Sequence, residues 1–208
     1  MTDFEPTAEQ TAVIEWPDSA FVVACPGAGK TKVMVERARH IFQKTPDRCV
    51  AFLSFTNQAV SELERRLVVD RILPMPPFPN FVGTFDSFLW QFMLAPAGVR
   101  NFPAQPKLVP DKAEWEVRPH SSMRAAKLKY FDRTSGNFQQ VEASRDNFNP
   151  RFGRTKYENL ARNIRASAED AGLLDFEDVR VSALAVLQDD DLKKRLGKAL
   201  QHRFDEII

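Results

Sequence analysis

The chain's 208 residues leave room for one larger domain, or for one domain carrying an insertion. A hydrophobic content of 43% excludes a disordered chain, and a net charge of +1 confines any affinity for nucleic acid to a local patch. The two cysteines, Cys25 and Cys49, stand at no metal-ligand spacing and read as reduced thiols of a cytoplasmic protein; the start MTDFEPTAEQ is unlike a signal peptide, and no apolar run approaches the ~20 residues that cross a bilayer.

Three short apolar runs predict strands: AFVVAC (residues 20–25), CVAFLSF (49–55) and FVGTF (81–85). Their near-continuous apolarity suits strands buried on both faces. Between the first two, KTKVMVERARHIFQK (30–44) carries Val33, Val35, Ala38, Ile41 and Phe42 at helical spacing. After the second, NQAVSELERRLVVD (57–70) places Val60, Leu63 and Leu67 on one helix face. Strand–helix–strand alternation predicts an α/β fold with a parallel sheet and right-handed crossovers. LPMPPFPN (73–80), with four prolines, predicts a rigid loop into the third strand.

The composition changes after about residue 95. AKLKYFDRTSGNFQQVEA (126–143) reads as a hairpin turning at RTSGN, and residues 96–156 read as an inserted subdomain. Between residues 118 and 156, nine Lys/Arg face three Asp/Glu, interleaved with Tyr130, Phe131, Phe138, Phe148 and Phe152. That mixture suits DNA binding, and it equally suits a small core beneath a basic face. Helical patterns return at TKYENLARNIRASAEDAG, with Gly172 as a C-terminal stop, at DFEDVRVSALAVLQ and at DDDLKKRLGKALQH.

The strongest chemical signal is ACPGAGKT, residues 24–31, set between a predicted strand and a predicted helix. A loop that brings backbone N–H groups against phosphate oxygens needs residues without bulk, which Gly27 and Gly29 supply. The helix N-terminus adds its dipole and free N–H groups. The expected nucleotide-binding set is Pro26, Gly27, Ala28, Gly29, Lys30, Thr31 and Lys32. Lys30 reaches the β- and γ-phosphates, the Thr31 hydroxyl holds Mg²⁺, and both count as catalytic. Ala24 stands where the usual pattern begins with glycine.

Four further stretches narrow the reading. PTAEQTAVI (6–14), FLSFTNQAVSELERRL (52–67), VGTFDSF (82–88) and GLLDFEDV (172–179) occur in this order around the phosphate loop. Together they resemble the glutamine motif, motif Ia, motif Ib and the segment before the Walker B strand of UvrD/Rep-like superfamily 1 DNA helicases. The resemblance covers residues 4–95 and about 157–208, and the insertion occupies the place of that family's subdomain 1B. It implies an incomplete RecA-like P-loop NTPase domain 1A, built from residues 1–95 and 157–208, with helices on both faces of its parallel sheet. It implies ATP and Mg²⁺ as cofactors, with Gln10 on adenine and Arg37 near the nucleotide. It also implies single-stranded DNA, or a single-strand/duplex junction, as partner. Thr56, Asn57, Thr84 and Ser87 offer short polar groups to a phosphodiester backbone. Phe55 and Phe85 offer rings to bases, although core packing at a strand end would use them as well. Asp86 stands where the family usually has histidine.

The chain closes on RFDEII, where Asp205 and Glu206 precede the isoleucines. A Walker B strand runs apolar first and acidic last, so this pair sits at the wrong end to hold Mg²⁺. The expectation is an ATP-binding N-terminal region of a DNA helicase or translocase, not hydrolytically competent alone. The acid pair and a second RecA-like domain would come from a further C-terminal part or from a partner chain. A naturally short nucleotide- or DNA-binding interaction module, and a P-loop NTPase used for regulation, remain alternative readings.

Overall fold

The computed structural model describes residues 5–97, 106–109, 111–150 and 152–208. In chain order, helices α1 (Ala8–Glu15) and α2 (Lys30–Lys44) precede strand β1 (Val50–Ser54), helix α3 (Asn57–Val69), strand β2 (Phe81–Thr84) and the single turn α4 (Phe85–Phe88). A π-helical stretch (Leu89–Leu94) and α5 (Ala95–Ala97) lead to the two-residue strands β3 (Lys107–Leu108), β4 (Glu116–Val117) and β5 (Ala126–Lys127). Then come α6 (Gln140–Arg145), α7 (Arg154–Asp170), β6 (Leu173–Leu174), α8 (Phe176–Gln188), α9 (Asp190–Arg203) and β7 (Glu206–Ile207). They form two compact units, residues 1–88 with 190–208, and residues 89–189.

In the first unit, three parallel strands lie in the order β2–β1–β7, with Ser54 opposite Thr84 and Val50 opposite Glu206. Alternate side chains of a strand face opposite ways. Val50 and Phe52 accordingly share one buried cluster with Val35 and Ala38 of α2 and Leu63 and Leu67 of α3. This is the periodic face expected from the sequence for both helices. At ~25 cal/mol per Å², burying side chains of this size is worth about 1.5–3 kcal/mol each, which outweighs the weak intrinsic stability of short helices.

The expected strand over residues 20–25 does not form. No described strand pairs with it, and Phe21 is 94% and Val23 87% exposed. A central parallel strand is held by neighbours on both edges, and apolar character alone does not supply them. The second and third expected strands form, shortened to 50–54 and 81–84.

The second unit has its own core, in which Val117, Leu128, Tyr130, Phe131 and Phe148 pack with Tyr157 of α7. Helix α7 is built into this core, and the compact unit runs to residue 189. The expected turn at 133–137 is present. Asp132 Oδ1 accepts the Thr134 and Ser135 N–H groups at 3.1 and 2.7 Å, and Gly136 takes φ +71°. The expected hairpin shrinks to a single bridge between Phe131 and Phe138, since β5 pairs with β4 and residues from 140 onward turn helical.

Candidate nucleotide and nucleic-acid site

The phosphate loop folds without strand support. Ala28 N–H donates to the Cys25 carbonyl at 3.2 Å, and Gly29, at φ +79°, caps α2 in the left-handed region. Gly27 also takes positive φ, +83°, and a Cβ there would meet no atom within 4 Å, so its surroundings are open. Lys30 opens α2, with Thr31 and Lys32 in the same first turn. The Lys30 ammonium donates to the carbonyls of Ala24 and Cys25 at 3.2 and 2.8 Å, which holds its charge over the loop. Two glycines at positive φ, a helix N-terminus and a lysine curled over the loop fit a triphosphate.

Gln10 is brought to the same loop. Its Nε2 donates to the Ala28 carbonyl at 3.1 Å, while its Oε1 accepts the Thr7 N–H at 3.0 Å. Thr7 Oγ1 in turn accepts the Gln10 N–H at 3.3 Å, which completes a capping box at the start of α1. Arg37 does not reach toward the loop. Its guanidinium donates to the carbonyls of Val13, Ile14 and Trp16 at 3.1, 3.2 and 2.9 Å, and pairs with Glu206 at 2.5 Å. Arg48 approaches the other Glu206 oxygen at 3.5 Å. Asp205 accepts the Cys49 N–H at 2.7 Å. Both acids at the end of the chain are therefore engaged by structural partners, and Glu206 lies opposite Val50, the first residue of β1. Among the described residues, no group of three or more His, Cys, Asp or Glu could hold a metal ion.

The C-terminal ends of β1 and β2 carry the residues expected to meet nucleic acid. Since Ser54 pairs with Thr84, the residues that follow each strand emerge side by side. Phe55 is 88% exposed and Phe85 41%, with ring centroids 6.0 Å apart and planes inclined at 44°. Neither ring is in the core. Thr56 caps α3, its Oγ1 accepting the Ala59 N–H at 3.2 Å, with Asn57 exposed beside it. Thr84 and Ser87 share a 2.6 Å hydroxyl–hydroxyl hydrogen bond, and the Ser87 N–H donates to Thr84 Oγ1 at 3.1 Å. These hydroxyls thus shape the two turns that present the phenylalanines.

A family model described as the UvrD/REP helicase N-terminal domain matches residues 6–208. The chain belongs to that family. Comparison with curated proteins finds no match. Membership in the UvrD/REP family makes this α/β fold RecA-like and its glycine loop a P-loop. The match supports an ATP-binding region of an ATP-dependent helicase. No helix among the described residues is long and apolar enough to cross a membrane.

The aromatic residues of the second unit are mostly committed to packing. Tyr130, Phe131, Phe138 and Phe148 are buried, and of the five singled out in the sequence Phe152 alone is exposed, at 86%. Much of the basic excess is also paired. Lys127 and Lys129 both meet Glu114 and Asp146, and Arg154 meets Glu158. Neither the Arg37–Glu206 pair nor the pair of buried Lys112 with Asp178 was legible from local patterns, because their partners lie far apart along the chain.

Proposed function

We propose that the first unit binds ATP with Mg²⁺ at Gln10 and the loop from Pro26 to Lys32, and guides single-stranded DNA, or a single-strand/duplex junction, along the C-terminal edge of its sheet. The observation that carries the DNA reading is the exposed Phe55–Phe85 pair at the ends of two adjacent parallel strands. Open parallel sheets bind ligands at this edge, and exposed rings there stack on bases without regard to sequence. Thr56, Asn57, Thr84 and Ser87 flank the rings with short polar groups suited to phosphodiester oxygens. The N–H groups of the loop and the Lys30 ammonium orient the triphosphate, and Gln10 meets the adenine edge. Bound Mg²⁺ neutralises charge on the β- and γ-phosphates. Efficient hydrolysis also needs a carboxylate pair at the metal. The proposed counterpart of subdomain 1B is the insertion over residues 96–156.

The test is equilibrium binding by the full-length protein. Lys30→Ala loses affinity for a fluorescent ATP analogue at least tenfold, and retained affinity rejects the loop assignment. Phe55→Ala and Phe85→Ala each weaken binding to oligo-dT by about 1–3 kcal/mol, roughly 5- to 150-fold. Wild-type anisotropy curves for both would remove the DNA edge.

A further inference from the structure

Arg37 lies two turns along α2 from Lys30, about 10 Å away by helix rise. Its four partners are unlike those of a surface arginine. Three are carbonyls at the C-terminal end of α1, and the fourth is a carboxylate on β7. The last carbonyls of a helix have no partner within it and carry the negative end of its dipole, so a guanidinium there satisfies both needs. The Arg37 and Glu206 side chains are only 16% and 18% exposed, which makes this a sheltered ion pair of well-fixed geometry. Arg48 supplies a second positive charge to the same carboxylate, and Asp205 is kept apart by its bond to the Cys49 N–H.

Helix α1 has eight residues, too few to be stable without anchors. It has one anchor at each end. At its N-terminal end Gln10 bonds the Ala28 carbonyl of the phosphate loop, and at its C-terminal end Arg37 gathers three carbonyls. Buried Ile14 is its contribution to the core. A continuous set of contacts therefore runs from β7 through Glu206 and Arg37 to α1, and through Gln10 to the loop.

We propose that Arg37, oriented by Glu206, is a positioning residue for adenine recognition: it fixes α1 so that Gln10 stands at the phosphate loop. The guanidinium acts through Gln10 and does not touch the nucleotide. This rests on the nucleotide site proposed above. Lysine cannot replace it, because a single ammonium cannot serve three carbonyls and a carboxylate in this fork geometry.

The experiment measures ATP and CTP affinities of the full-length protein, with thermal melts to establish folding. Gln10→Ala and Arg37→Lys each lower the ATP-over-CTP preference by on the order of tenfold, with little change for CTP. Glu206→Gln, which keeps an acceptor for Arg37, lowers it by a smaller factor. The double variant Gln10→Ala/Arg37→Lys loses no more preference than Gln10→Ala alone, because both act through one contact. Multiplying losses, or equal weakening of ATP and CTP by Arg37→Lys, overturn the positioning role while leaving the nucleotide site intact. An unchanged preference in Gln10→Ala removes the adenine reading and the inference with it. Unchanged affinity in Lys30→Ala removes the site itself.

Discussion

Asp175 offers a quantitative test of how the second unit is held together. It caps α8, its Oδ1 accepting the Asp178 N–H at 2.9 Å, while Asp178 Oδ2 accepts the Asp175 N–H at 2.9 Å. The Arg133 guanidinium grips both Asp175 oxygens, at 3.2 and 3.1 Å, and also meets Asp178, which pairs in addition with buried Lys112. Asn caps a helix as well as Asp does, so Asp175→Asn removes only the charge attraction. With Arg133 at 37% exposure, solvent screening limits that loss to about 1 kcal/mol. Asp175→Ala removes the cap as well, for about 2 kcal/mol in total. Hydrogen exchange at the first amides of α8 should then speed up about fivefold for Asn and about thirtyfold for Ala. Burial by itself raises the Asp175 pKa, but the Asp178 N–H, Arg133 and Lys112 outweigh it and hold the pKa below its ordinary value of 3.8. A depressed carboxylate pKa contributes stability above the unfolded value, and that stability is lost as pH falls through the folded one. The gap between the native protein and Asp175→Asn should therefore be full at pH 5 and close below pH 4. Equal exchange rates for Asn and Ala would refute the capping argument, and a gap independent of pH would refute the ion-pair argument.

Three further outcomes are expected. Gly29→Ala forces an L side chain to φ +79° with its Cβ 3.3 Å from Gln10 Nε2, at a cost of about 1–2 kcal/mol; ATP affinity should fall about tenfold by titration, and wild-type binding would show that the loop tolerates another conformation. Cys25 is an exposed free thiol in the phosphate loop, so saturating ATP should slow its alkylation, followed by mass spectrometry, while leaving half-buried Cys49 unaffected; no protection at Cys25 would place the nucleotide elsewhere. Phe131 is 2% exposed and meets Phe138 edge-on at 5.8 Å, so Phe131→Ala should destabilise the second unit by about 3–5 kcal/mol in urea, and a loss below 1 kcal/mol would contradict the core assigned here.

What the sequence revealed follows the range of the forces involved. Helices α2, α3 and α8 were legible because periodicity and caps are local: Lys30, Asn57 and Asp175 mark their starts in the sequence as in the structure. The turn around Gly136 was legible for the same reason. Residues 20–25 were misread because a strand is a property of its neighbours, which a local apolar run does not report. Helix α6 was hidden within the expected hairpin, since Gln140–Arg145 alternates too weakly to announce either state. The phosphate loop was visible as a motif, whereas the role of Arg37 was not. Its carbonyl partners lie 21 to 24 residues away and Glu206 lies 169 away, so only folding brings them together.

Strand β1 joins the two halves of the proposed site. At its start, Cys49 exchanges hydrogen bonds with Asp205, and Val50 pairs with Glu206, from which the contacts run through Arg37 and α1 to the phosphate loop. At its end, Phe55 and Thr56 turn the chain into α3. Five residues at ~3.3 Å each separate these ends by about 17 Å. Val50 and Phe52 are fully buried between them, locked against α2, which carries Lys30 at its N-terminus and Arg37 in its middle. The residues proposed to meet DNA and those proposed to meet ATP are therefore fixed to the same close-packed pair of elements. Close-packed interiors yield little, so α2 and β1 are expected to move together rather than independently.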